Sequence, residues 1–444
     1  MKYYFVGIAG FGMSALAQIA KAKGAQVFGS DRNFDSNSAW DIKEKFEKKG
    51  IKIVPQDGTH LDSTFDAAVF STAVEKENLE YKKAEILKIK IVHRSDFLAD
   101  YINKFKTVAV SGTSGKSTVT ALIYHILERN GLSPSIITGG ALNELIDKGE
   151  IGNAAAGNSD WLVAEADESD GTLVKYSPYA GVILNISKDH KEISQLMPVF
   201  KGFSSKCKTV FLNEEDGYVK ELPGNKIFFS LKKIENLKMT FSKSEFIMEG
   251  EKFFLPLPGE YNVRNFAAAV CVCRNLAGLS LKNISSSVRD FKGVYRRFNI
   301  IGEKKGICVI DDFAHNPAKI EAALSAAKID LKGRLFAVYQ PHGFAPTRLL
   351  RKELIETFSK SLRKEDFLFM PDIYYAGGTV AKDISSADII NPLKETGLNA
   401  FYIPERKNIP PAIREKIKSG DRIISMGARD LSLRKFASDI LEAL

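Results

Sequence analysis

The chain has 444 residues, enough for roughly two to four domains of ordinary size. Its 44% hydrophobic and 26% charged residues are those of a globular protein, not of a disordered or fibrous one. The formal net charge of +9 would suit nucleic acid or small anionic ligands, but lysines alternate with acids and no dense basic tract carries interleaved aromatics, which favours small anions. No apolar run approaches the ~18 residues of a membrane helix. The segment Met1 to Gly7 reads as a buried first strand because no small-residue cleavage site follows it, so the expected location is the cytoplasm. Cys207, Cys271, Cys273 and Cys308 match no paired metal-site spacing and read as reduced, structural residues.

The predicted elements fall into three segments, residues 1–105, 106–294 and 295–444, each an α/β pattern of short buried strands alternating with helices, as a mostly parallel sheet requires. In the first segment, strands are expected at Tyr3–Ile8, Gln26–Ser30, Ala67–Ser71 and Ile89–His93. Gly7-Ile8-Ala9-Gly10-Phe11-Gly12 follows the first of them and precedes a helix over Met13–Lys23. Asp31 comes about 20 residues further on. The spacing is that of a dinucleotide fingerprint with Ala9 at its second glycine, which alone says only that a phosphate-bearing ligand can sit at that helix N-terminus. An NAD-dependent dehydrogenase is one reading of it.

The second segment opens on the strand Thr107–Val110. The run Ser111-Gly112-Thr113-Ser114-Gly115-Lys116-Ser117-Thr118 follows, and then a helix over Val119–Arg129. Glycines let backbone N–H groups close around a phosphate, the lysine neutralises the terminal phosphates, and the hydroxyl after it can ligate Mg²⁺. Val110 stands where the common loop has its first glycine. Glu165-Ala166-Asp167-Glu168-Ser169-Asp170 ends the strand that begins at Trp161. Four carboxylates this close repel one another unless a cation or base compensates them, which suits a hard metal ion, although a solvated acidic loop is the plain alternative. Asp189-His190 follows the strand Gly181–Leu184 and adds a candidate ligand. The stretch Thr209–Phe254 reads as short strands with turns at Pro223-Gly224 and Glu249-Gly250, and Asn262–Ala277 as a helix.

In the third segment the expected strands are Gly306–Ile310, Arg334–Tyr339, Asp366–Met370 and Arg422–Ser425. Asp311-Asp312-Phe313-Ala314-His315-Asn316-Pro317 follows the first, and Gln340-Pro341-His342 the second, with Arg348 shortly after. Carboxyl ends of successive parallel strands are where open α/β sheets bind ligands. Arg296-Arg297 precedes the cluster and has a plain reading as a solvated pair.

Together these motifs resemble the Mur ligases over nearly the whole chain, most closely the branch that adds L-alanine to UDP-N-acetylmuramate. The resemblance rests on Gly7 to Ser14, Gly112 to Ser117, Glu165 to Asp170, Asn185-Ile186 with Asp189-His190, and Pro258-Gly259 with Asn262 and Asn265. It continues through Gly293 to Phe298, Asp311 to Pro317, Gln340 to His342, and Asp372 to Tyr374 with Ala376-Gly377. It implies a Rossmann-like UDP-sugar domain (1–105), a central P-loop ATPase domain (106–294) and a Rossmann-like ligase domain (295–444) that brings the amine. It implies ATP and Mg²⁺ as cofactors, small-molecule partners (a UDP-sugar and an amino acid or peptide), no nucleic acid or membrane, and a monomer or weak homodimer. The reaction implied is amide formation through an acyl-phosphate.

By the same resemblance, Gly112, Thr113, Ser114, Gly115, Lys116, Ser117 and Thr118 hold the ATP phosphates, with Lys116 on the β,γ-phosphates. Ser117, Glu165, Glu168 and His190 hold cations, and Arg297 reaches the γ-phosphate. Asn262 and Asn265 contact the adenine and Asp311 the ribose. Ser14, Asp31, Ser71, Thr72 and Arg94 take the UDP-sugar, and His315, His342 and Arg348 shape the amine end; Lys116, His190 and Arg297 are the catalytic set. The chain departs from the family pattern in several places. Ser114 replaces a histidine, Asn316 replaces another, Gly343 to Thr347 lacks two expected arginines, and Met426-Gly427-Ala428-Arg429-Asp430 replaces a late Gly-Ala-Gly-Asp-Ile element. These departures leave open a paralogue with another acceptor, such as a recycled muropeptide, or a non-catalytic nucleotide-binding homologue.

Overall fold

The structure, a computed structural model, describes residues 1–35, 40–169, 171–188, 192–375 and 381–444. The chain divides into two compact units, Met1–Lys233 with Arg264–Val294, and Ile234–Val263 with Tyr295–Leu444.

The first unit contains two sheets. Strands β1 (Lys2–Val6), β2 (Gln26–Ser30), β3 (Lys52–Val54), β4 (Ala67–Phe70) and β5 (Ile91–His93) form an all-parallel sheet in the order β3-β2-β1-β4-β5. All of β4 is buried, as expected of a strand covered on both faces. The helix Phe11–Ala22 is buried from Met13 through Ala20, a continuous run and not a stripe.

The second sheet comprises β6 (Lys106–Ser111), β7 (Ser135–Ile137), β8 (Ala154–Ala155), β9 (Trp161–Glu165), β10 (Ala180–Ile183), β11 (Thr209–Asn213) and β12 (Lys226–Phe229), in the order β12-β11-β10-β6-β9-β7-β8. Only β8 is antiparallel in it. The helix Phe11–Ala22 packs on β7 and β8 as well as on its own sheet, which explains its all-round burial. Gln18 Nε2 donates to Asn153 Oδ1 at 2.9 Å and Asn153 Nδ2 donates to Ser14 Oγ at 2.6 Å across this contact. The first two expected segments are thus one packed unit up to Lys233. The chain fills β9 to one side of β6 before it crosses to β10 on the other, so the carboxyl ends of β10, β6 and β9 meet at the switch point where open α/β sheets take ligands.

The second unit carries a three-stranded antiparallel sheet, β13 (Ile234–Met239), β14 (Ser244–Met248) and β15 (Glu251–Leu255). Its tight turn has Glu249 and Gly250 both at positive φ, +48° and +82°, the geometry that matches strand twist in a two-residue hairpin. This stretch packs within the second unit: the Arg422 guanidinium lies 3.8 Å from the Phe241 ring centroid, and Phe241 N–H donates to Asp330. The larger sheet runs β16 (Asn299–Lys304), β17 (Ile307–Asp312), β21 (Arg422–Gly427), β18 (Leu335–Gln340), β19 (Phe367–Met370), β20 (Asn399–Tyr402), parallel except for the edge strand β16. The register pairs Asp312 with Met426 and Gln340 with Gly427, which brings three strand ends together.

Candidate active site

The phosphate-type loop leaves β6 at Ser111 and enters the helix Lys116–Arg129. Gly112 (φ +132°) and Gly115 (φ +89°) adopt backbone conformations that L side chains rarely take. A Cβ on Gly112 would lie 3.1 Å from the Leu184 and Asn185 backbone nitrogens, so the loop also needs glycine for close approach. Asn185 clamps the next residue from both sides. Its Oδ1 accepts from Ser114 N–H at 2.8 Å, its Nδ2 donates to Ser114 C=O at 2.9 Å, and its own carbonyl accepts from Thr113 N–H. Val119 N–H bonds Gly115 C=O, which leaves the N–H groups of Lys116, Ser117 and Thr118 without an acceptor in their own helix. The result is an anion cradle at a helix N-terminus, within a loop whose shape Asn185 fixes.

Lys116 crosses the cradle. Its Nζ donates to Gly112 C=O at 2.8 Å and to Glu168 Oε2 at 2.7 Å, with Asp167 at 3.5 Å. Burial works against the charge on this ammonium, yet Glu168, Asp167 and Glu165 outweigh it and hold the lysine pKa above its usual value. Burial pushes the Glu168 carboxyl up despite the lysine, whereas Lys116 and Ser169 overcome burial at Asp167 and hold it low. The acidic cluster therefore serves first as the counter-charge of the loop lysine.

Glu165 faces a different partner set. Its Oε2 accepts from Thr138 Oγ1 at 2.9 Å and from Gly139 N–H at 2.8 Å. A Cβ on Gly139 would stand 3.2 Å from Glu165 Oε1, and one on Gly140 would stand 3.3 Å from Ser117 Oγ. The Gly139-Gly140 turn thus fills the space between the Glu165 carboxylate and the Ser117 hydroxyl without side chains, and hydroxyl plus carboxylate is a donor set suited to a hard divalent cation. Among the described residues no group of three His, Cys, Asp or Glu side chains gathers as a metal site. His190, together with Asp189, Asp170, Ala376 and Gly377, lies outside the described residues. Asn265 packs on the loop so closely that a Cβ on Gly115 would meet its Oδ1 at 2.5 Å. In the other unit, Asn262 is buried and donates to Pro258 C=O.

Replacing Asn185 by alanine removes both side-chain anchors of Ser114. At about 1 kcal/mol per lost bond in this partly buried setting, a rise of about tenfold or more in the KM for ATP is expected. The KM for the other substrates stays unchanged, which steady-state kinetics reads directly.

The carboxyl edge of the first sheet opens on a cleft of about 630 Å³, within the range for small ligands. Asp31, Ser71 and Arg94 line it together with Arg32, Asn33 and Gln56. Asp31 is a hinge pin: it accepts from Ala9 N–H and Asn33 N–H, both at 2.9 Å, and so ties the glycine turn to β2. Gly12 lies close under Arg94: a Cβ there would stand 2.8 Å from Arg94 Nη1, so a side chain at this position would push the guanidinium aside. Thr72, between the lining residues Ser71 and Ala73, hydrogen-bonds the ring of His93 at 3.1 Å. Ser14 is buried against Asn153, away from the lining.

In the second unit the residues beyond β17 and β18 form a separate cluster. Arg296 is 2% exposed, which excludes the plain alternative of a solvated pair for this residue: its Nε contacts both Asp311 oxygens at 3.2 Å, and its Nη atoms donate to Gly427 and Asp430 carbonyls. Asp311 is consequently enclosed, with Arg296 on its carboxylate. Arg297 lies over the Phe313 ring, 4.7 Å from its centroid, and faces Asp312. Burial pushes Asp312 up to about 6, against the pull of Arg297 and the Phe298 and Ala314 N–H groups. The His315 and His342 rings stand edge to face at 5.4 Å. Arg348 instead pairs with Asp383 at the surface.

The Asp312 carboxyl binds its proton more tightly in the folded chain than in the unfolded one. Its protonated form therefore stabilises the fold fully below about pH 4, and this contribution, about 3 kcal/mol, is lost as pH rises through about 6. Asp312→Asn is expected to flatten the fall in unfolding free energy between pH 4 and 7. Denaturant titrations at several pH values test this, and an unchanged slope would contradict it.

A glycine loop at the switch point of a parallel sheet, with a buried lysine and a hydroxyl–carboxylate pair beside it, defines an α/β phosphate-loop nucleotide enzyme. Residues 2–106, 110–273 and 296–429 match, in turn, the profiles described as "Mur ligase family, catalytic domain", "Mur ligase middle domain" and "Mur ligase, glutamate ligase domain". The chain is 33% identical to the UDP-N-acetylmuramate–L-alanine ligase of Carboxydothermus hydrogenoformans, over 97% of this chain and 94% of that protein. It is 33% identical to that of Syntrophomonas wolfei, over 99% and 97%. The crystal structure of the Thermotoga maritima UDP-N-acetylmuramate-alanine ligase MurC superposes with a TM-score of 0.80 at 26% identity, covering 100% of this chain and 98% of that one. The chain belongs to the Mur ligase family.

Proposed function

We propose that this protein is an ATP-dependent ligase that joins the carboxylate of a UDP-N-acetylmuramate-type donor to the amine of L-alanine or a related acceptor, in the cytoplasmic assembly of peptidoglycan precursors. The observation that carries the reading is the pre-formed phosphate loop with Lys116 buried across it. The full-length similarity to ligases of that name supports it.

The chemistry follows from what these residues can do. ATP phosphates lie on the N–H groups of Lys116, Ser117 and Thr118, and Lys116 releases Glu168 to neutralise the β,γ-oxygens. Ser117 and Glu165, with His190 as the further ligand assigned by motif, would hold Mg²⁺, which neutralises phosphate charge when bound. Positioning and charge neutralisation dominate phosphoryl transfer, and no protein nucleophile is needed. A donor carboxylate oxygen attacks the γ-phosphorus and ADP leaves. The amine then attacks the acyl carbon, the C–O bond breaks, and the oxygen departs with phosphate while the amine loses its proton. Arg297 supplies charge to the transferring phosphoryl group. Asn262 and Asn265 hold the adenine, and the Asp31, Ser71 and Arg94 cleft takes the UDP-sugar.

The missing arginines after His342 favour a second reading, a paralogue with a larger acceptor such as a recycled muropeptide. Phosphate release with UDP-N-acetylmuramate across single amino acids and short peptides decides between them. Release confined to L-alanine supports the first reading, release confined to a peptide the second, and silence with every amine contradicts both.

A further inference from the structure

Arg429 stands out in the second unit on three counts. Its backbone is left-handed, φ +63°, a conformation that L side chains other than asparagine and aspartate rarely hold. Its side chain is exposed, and it has no hydrogen bond or ion pair with any described residue. It also emerges from the carboxyl end of β21, between β17 and β18, where the sheet delivers its ligand-facing residues. Gly427 pairs with Gln340, so Arg429 and His342 each leave the sheet two residues beyond a paired position, and His315 is packed on His342.

The surroundings keep this charge available. Asp430, the adjacent carboxylate, is committed to Arg406 and to Ser432, and Arg406 in turn holds Gln340. The turn is pinned from below, where Arg296 takes the Gly427 and Asp430 carbonyls. A strained residue in an over-determined frame is a pattern of functional sites. Glycine would hold this conformation without strain, so the arginine is a cost to the fold that only its side chain can offset.

We propose that Arg429 binds the α-carboxylate of the amine substrate through its guanidinium fork, in place of the arginines absent after His342. The inference rests on the ligase reading above. A guanidinium matches a carboxylate bidentately and fixes the amine's orientation, which makes Arg429 a specificity determinant for acceptors with a free carboxylate.

The test compares wild type with Arg429→Gly, the substitution that the backbone favours, so that folding is retained. Phosphate release is measured with L-alanine and L-alaninamide, and with an alanyl peptide and its C-terminal amide. Wild type is expected to prefer the free acids, and Arg429→Gly to raise their KM about 10- to 100-fold. Its kcat and its KM for ATP and for the UDP-sugar stay within a factor of two or so, and the acid-over-amide preference disappears. An active wild type whose acid preference survives in Arg429→Gly overturns the role of Arg429 alone, as does a shift confined to the ATP or UDP-sugar KM. A wild type silent with every amine overturns the ligase reading itself.

Discussion

Lys116→Met is expected to lower kcat for ATP-dependent phosphate release by at least about 10³-fold, the scale on which a single cation at a transferring phosphoryl group acts. Methionine keeps the volume of the stem and removes the charge. In the resting loop this leaves Glu168 and Asp167 without the ammonium 2.7 and 3.5 Å away. Burial already raises the Glu168 carboxyl, so that group takes up a proton in the variant and the fold survives. Circular dichroism should therefore be unchanged while turnover collapses. Lys116→Arg should rescue little, because a planar fork cannot share one point between Gly112 C=O and Glu168 as an ammonium does. A methionine variant with near-normal kcat would remove the loop lysine from the mechanism.

Arg296→Met is expected to be the most damaging single change outside the phosphate loop. The Arg296–Asp311 pair has 2% and 0% of its side-chain surfaces exposed, and removal of one partner strands the other charge in the interior. Breaking such a pair costs roughly 3–5 kcal/mol, and here the Gly427 and Asp430 carbonyls lose their donors too. For a unit of this size the corresponding transition should fall by about 10 °C in calorimetry. The double variant Arg296→Met with Asp311→Leu should recover part of the loss, since paired charges replaced by apolar groups cost far less than one charge left alone. A single variant as stable as wild type would show that Asp311 finds another counter-charge.

These two sites also mark what was legible in the sequence. The phosphate loop was, because its chemistry is local: Gly112, Gly115, Lys116 and Ser117 sit within six consecutive residues, and the strand and helix around them have clear patterns. The parallel sheets were legible for the same reason, strand by strand. Long-range pairing was not. Nothing near Arg296 says that it reaches Asp311 and the far end of β21; that follows only from the order of strands in the sheet. Nor does Asn185 declare that its amide clamps Ser114. The Gly139-Gly140 turn after β7 was the overlooked signal, two adjacent glycines at the end of a buried strand. That the meander Ile234–Leu255 packs through Phe241 on Arg422 is likewise invisible in chain order, which places it before the helix Glu260–Ala277. Nor does the motif around Ser14 announce its hydrogen bond to Asn153, a partner 139 residues away.

The central claim is that the donor carboxylate is activated as an acyl-phosphate, and isotope transfer tests it most directly. With UDP-N-acetylmuramate labelled by ¹⁸O in its carboxylate, ATP, Mg²⁺ and the accepted amine, each phosphate released should carry one ¹⁸O. Unlabelled phosphate accompanying amide formation would contradict the acyl-phosphate route.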